Sequence, residues 1–234
     1  MLTRCLLALT LLIPAFAAEW DQTAFPDWSD RAVLRLLTGS AWSKPRTVQF
    51  TWRKREEGPF SYKNIPGADH GGQPNIGSPV GGIGARKSHL PDKANILLRW
   101  SNALPVRQAK ALYQVREDKL LSTKLNELVG VPEPTYVLEL FGLPAEIAYQ
   151  GTGTVESLLM QSAKLRTKTG RSIKPARVSV TTSGLQLRIF IHFTKQFALT
   201  LADKELEFTA DLQLFQLKET FQLSDMVYQG TLDL

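Results

Sequence analysis

The chain has 234 residues, 43% of them hydrophobic, a formal charge of +6 and one cysteine, Cys5. That length and apolar content support a cored domain without covalent staples. With no thiol after position 5, a disulfide framework, thiol catalysis and Cys-ligated zinc are excluded for the rest of the chain.

The first residues read as an address. Arg4 supplies a positive start, Cys5 to Ile13 form an apolar run, Pro14 breaks it, and Ala15-Phe16-Ala17 sets small residues where a signal peptidase cuts. The run is shorter than the roughly 20 residues of a spanning helix. Residues 1–17 are therefore read as a cleaved secretory signal, with 18–234 a single β-rich domain. Cys5 lies upstream of the cut, which excludes lipidation there. The expected location is periplasmic or secreted, with no membrane span after cleavage.

A helix is predicted over 27–38, capped by Asp27 or Ser29 and ended by Gly39. Thr47 to Trp52 alternates as a strand, with Val48, Phe50 and Trp52 on one side. Residues 56–92 are rich in Gly and Pro and poor in large apolar residues, which predicts a long mobile loop. Ala94 to Trp100 reads as a buried strand, and Pro105 suits the first position of a helix. A helical segment is predicted over 105–129, as one helix or two, because Arg116-Glu117-Asp118-Lys119 interrupts the stripe of Leu112, Leu121, Leu125 and Leu128.

From Thr135 onward the pattern becomes β. Strands are predicted at 136–140, 158–166, 177–181 and 185–193, followed by a hairpin pairing 197–201 with 205–210 and strands at 218–223 and 227–234. Ser183-Gly184 marks a turn. The fold class is α+β and β-dominated: an antiparallel sandwich or curved sheet in the C-terminal half, with N-terminal helices and the long loop. Few segments reach the 9–11 residues of a lipid-facing barrel strand, which argues against an outer-membrane barrel. No internal repeat is evident.

Candidate chemistry is sparse. Gly81 to Ser88 superficially suggests a phosphate loop, but Arg86 stands where Gly must precede Lys87. His70 with Asp69 and His89 with Asp92 offer N and O donors without the spacing of a metal motif. His192 is out of phase with the Ile189, Ile191 and Phe193 face and reads as a surface or hydrogen-bonded residue. Ser40 and Ser78 follow glycines, but no G-x-S-x-G elbow occurs. Asp27 with Asp30 and Glu117 with Asp118 read as cap and surface charges rather than as a glycosidase pair. Trp28, Trp42, Trp52 and Trp100 could stack on sugars, but their positions favour the core. No cofactor or metal is expected.

Several phrases together resemble a group of uncharacterised exported bacterial proteins of unknown function. They are Trp28-Ser29-Asp30, Thr38 to Pro45, Leu98-Arg99-Trp100, Ala103 to Arg107, Asp203 to Phe208 and Phe221 to Leu234. The resemblance implies export and bacterial origin and transfers no catalytic residue. The reading is a non-enzymatic envelope protein, an interaction or binding module. The alternative is a secreted or periplasmic hydrolase of an envelope polymer, with its site near His70 and His89. The expected partner is an anionic envelope polymer or another envelope protein. Scattered Lys and Arg, as at Arg166, Lys168 and Arg171, do not point to nucleic acid.

Overall fold

The computed structural model describes residues 19–51, 91–119 and 122–234. The expected signal and all but the last two residues of the expected 56–92 loop lie outside the described residues.

A short helix, α1 (Glu19–Gln22), precedes α2 (Asp30–Thr38). Helix α2 starts because the Ser29 hydroxyl accepts the Ala32 N–H, and Gly39 closes it. It buries Ala32, Val33, Leu36 and Leu37, one stripe of its surface. Strands β1 (Ser43–Gln49) and β2 (Lys93–Trp100) pair antiparallel, so the chain from 50 to 92 joins neighbouring strand ends. Beyond the pairing, the Phe50 N–H donates to the Asp92 carbonyl at 2.8 Å.

The 105–129 segment contains two helices, α3 (Leu104–Glu117) and α4 (Leu125–Val129). Pro105 stands at the start of α3, and Lys119, at φ +51°, follows its end. Strand β3 (Thr135–Pro144) comes next, then α5 (Thr152–Ser162). The remaining strands are β4 (Lys164–Thr167), β5 (Ser172–Ile173), β6 (Pro175–Ser183), β7 (Gln186–Thr194), β8 (Glu205–Asp211) and β9 (Gln216–Gln222). The short pair β10 (Val227–Tyr228) and β11 (Thr231–Leu232) ends the chain.

The strands form two antiparallel sheets, ordered β1-β2-β3-β7-β6 and β5-β4-β8-β9, plus the β10-β11 pair. The larger sheets pack face to face. Trp100 on β2 meets Phe221 on β9 edge-to-face with ring centroids 5.3 Å apart, and Phe193 on β7 meets Phe208 on β8 at 6.4 Å. Inward residues alternate along β7, where Leu187, Ile189, Ile191 and Phe193 are all buried. The fold is the expected β-dominated α+β class.

Three local expectations are corrected. Residues 227–234 are not one strand but the β10-β11 pair, which turns at Gln229-Gly230. Residues 158–166 are not one strand: the apolar run through Leu159 ends α5, and only Lys164 to Thr167 extend. Val155 and Leu159, spaced i and i+4, form the buried side of that helix. The 197–201/205–210 hairpin does not form either. Residues 201–203 are a helical turn whose Thr200 and Asp203 cap each other, and β8 pairs with β9 instead.

Candidate functional site

The outer face of the five-stranded sheet, turned away from the second sheet, carries a cluster of charged side chains. Cross-strand partners share a face, so Arg99 on β2, Glu139 on β3, Phe190 on β7 and Ser179 on β6 make one row. Leu97, Phe141, Arg188 and Thr181 make the next. Strand β3 is buried on both faces, which places Glu139 at 1% exposure between Leu138 and Leu140.

Three cations hold that carboxylate. Arg99 donates from Nε at 3.0 Å and approaches through Nη2 at 2.9 Å. Lys110, reaching over from α3, donates from Nζ at 2.7 Å, and Arg188 Nε lies 3.5 Å from the other oxygen. The cations are themselves positioned. Arg99 Nη1 donates to the Leu37 carbonyl in the last turn of α2, where a cation complements the helix dipole. Lys110 donates to the Ser101 hydroxyl at 2.6 Å, and the Arg188 guanidinium stands 5.3 Å from the centre of the Phe141 ring. The start of α3 is pinned in turn by Asp233, which accepts the Leu104 N–H.

Burial opposes the Glu139 charge, but Arg99 and Lys110 more than offset it and hold the carboxyl below its usual range. Burial also lowers the Lys110 ammonium, Glu139 raises it, and Arg99 and Arg188 lower it further. An ionised carboxylate with cations on both oxygens is neither a proton donor nor a free base. Glu139 is an organiser of charge, and its three cations leave the cluster with a surplus of positive charge.

His192 sits farther along the same face at 4% exposure, hydrogen-bonded but buried rather than at the surface. Glu133 lies 3.0 Å from Nδ1 and Arg177 Nη2 lies 3.0 Å from Nε2. The carboxylate calls for the Nδ1–H tautomer, and Arg177 Nη2, 3.2 Å from Nδ1 as well, lies beside both ring nitrogens. Burial lowers the imidazole pKa, Glu133 opposes this and Arg177 adds to it.

The other sequence candidates separate. His70, His89, Asp69, Ser78, Trp52 and the Gly81 to Ser88 stretch lie outside the described residues. Trp28, Trp42 and Trp100 are core residues, at most 1% exposed. Ser40 closes the end of α2 by donating to the Leu36 carbonyl at 3.0 Å, and Asp30 pairs with Arg116 at 2.6 Å. Glu117 and Asp118 are exposed at the end of α3. Among the described residues there is no group of three or more potential metal ligands, and no helix is long and apolar enough to cross a membrane. Open clefts of about 630 Å³ beside Trp20 and Tyr228 and about 470 Å³ beside Gln49 and Phe215 bring no catalytic set together.

Sequence reasoning missed Glu139, Arg99, Lys110 and Arg188. The available signal was Glu139 itself, a charge inside the apolar run from Tyr136 to Leu140. Comparisons with protein-family models, curated proteins and solved structures return no match.

Proposed function

We propose that this chain is an exported, non-enzymatic envelope protein, a binding module whose contact surface is the outer face of the five-stranded sheet. The observation that carries this reading is Glu139 ringed by three cations. A buried ion cluster contributes little to stability compared with well-packed apolar residues. Surplus charge fixed on a sheet face suits recognition of anions more than it suits the core. The signal-like start, the net charge of +6 and the resemblance to exported bacterial proteins support an anionic envelope component as partner.

The test is N-terminal sequencing of protein recovered from its host, with co-sedimentation of residues 18–234 with isolated envelopes. The expected result is a chain starting at Ala18 that sediments at low ionic strength and is released by salt. An intact Met1 on a cytosolic species, or failure to sediment at low salt, overturns the proposal.

A further inference from the structure

We infer that Lys110 and Arg188, braced on Glu139, form an anchor for phosphate groups of a linear anionic polymer, with Arg177 as the next contact along the same sheet face. This deepens the binding-module reading and rests on it. Arg188 and Lys110 approach opposite oxygens of one carboxylate, so their cationic heads flank a single point of the surface. Arg188 keeps its two terminal nitrogens, and Lys110 one hydrogen, without a partner among the described residues. Both reach solvent, with side chains 44% and 33% exposed, whereas Glu139 beneath them does not.

A guanidinium and an ammonium on opposite oxygens of one carboxylate are best bridged by an acceptor offering oxygens in several directions. Phosphate does so, whereas a carboxylate presents two oxygens in one plane. A polymer is favoured over a monomer by the spacing of the cations. Arg177 is opposite His192, four residues along β7 from Arg188. At about 3.3 Å per residue the two arginines are roughly 13 Å apart along the face, beyond the reach of one phosphate. Half-buried Phe141 and Phe190 lie on the same face and give a repeating chain apolar surface between its charges.

The test is calorimetric titration of residues 18–234 with linear polyphosphate. Inorganic phosphate, polyglutamate, phosphatidylglycerol vesicles and single-stranded DNA serve as separate arms. Polyphosphate is expected to bind most tightly, with log affinity falling against log salt at a slope of about −2 to −3, as three cationic contacts require. R188Q and R177Q are each expected to weaken it about three- to tenfold and to remove about one unit of slope. R166Q, on β4 of the other sheet, is expected to leave binding unchanged. An unaltered melting temperature shows that R188Q is folded. If R188Q binds polyphosphate like the parent, the anchor is wrong, and if R177Q does, the next contact is wrong. If polyglutamate binds as tightly, phosphate recognition is wrong, and if vesicles or DNA bind more tightly, the polymer assignment is wrong. Retained envelope sedimentation with an unchanged R188Q titration overturns the anchor alone. Lost sedimentation with an R188Q-sensitive titration overturns the envelope reading alone.

Discussion

Glu139 shows how one side chain can organise a surface. Replacing it with Gln removes the charge and leaves Arg99 and Lys110 facing a neutral amide, so E139Q is expected to lower stability by about 2–4 kcal/mol in urea unfolding. The low end reflects the access of Lys110 and Arg188 to water. Because the native carboxyl is held below its usual range, its contribution is complete above about pH 4.5 and is lost as pH falls through the native pKa. E139Q is therefore expected to flatten the acid limb of a stability profile. His192 has the same sign for a different reason. Burial disfavours its protonation, so stability declines as pH drops below about 6.5. H192Q is expected to lessen that decline in melting curves taken between about pH 5 and 7. Gly142 illustrates backbone demand. It has φ +100° at the β3 bulge, and an added Cβ would stand 2.5 Å from the Asn95 carbonyl oxygen. G142A is expected to cost about 3 kcal/mol or more by the same denaturation measurement.

At the level of elements, α5 guards an exposed sheet edge. Strand β6 ends the five-stranded sheet, and its Val180 N–H, which points away from β7, donates to Glu156 of α5 at 3.0 Å. Helix α5 is anchored at its other end, where the Ser162 hydroxyl donates to the Asp211 carbonyl of β8 at 2.8 Å. Truncating Glu156 to Ala leaves a part-buried donor without its partner, at a cost of about 1–2 kcal/mol. It also opens an edge to pairing with another chain. Light scattering of E156A against the parent is expected to show faster self-association on warming. This element was illegible in the sequence, where Leu158 to Arg166 reads as a strand. Its helical spacing rests on Val155 and Leu159 alone. By contrast, α2 was legible from Ser29 and Gly39, and β7 from its strict alternation.

At the level of the molecule, the sandwich is held by contacts between residues far apart in the chain. Trp100 on Phe221 and Phe193 on Phe208 join the sheets through the middle. The β1–β9 side is closed by Arg46 on buried Glu219 at 2.5 Å and by Phe50 on Phe215 at 5.4 Å. F221A removes a fully buried ring that packs on Trp100 of the facing sheet and is expected to cost about 3–5 kcal/mol in urea unfolding. Both sheets are expected to melt in one transition at a lower temperature, because neither has an independent core. Separate transitions by tryptophan fluorescence and far-UV dichroism would show that they unfold independently.

Features that depend on nearest neighbours and on composition can be read from the residues in order. These are the capped ends of α2, the Pro105 start of α3, the Gly184 turn, the alternation of β7, the lack of any thiol after Cys5 and the basic charge. Which strands pair, that 152–162 is a helix, and that Arg99, Lys110, Glu139 and Arg188 meet are settled by packing across the fold. Caps, turns and side-chain periodicity are local properties written within a few residues. Strand order and register are set by burying two sheet faces against each other, and no short stretch of the chain encodes that choice.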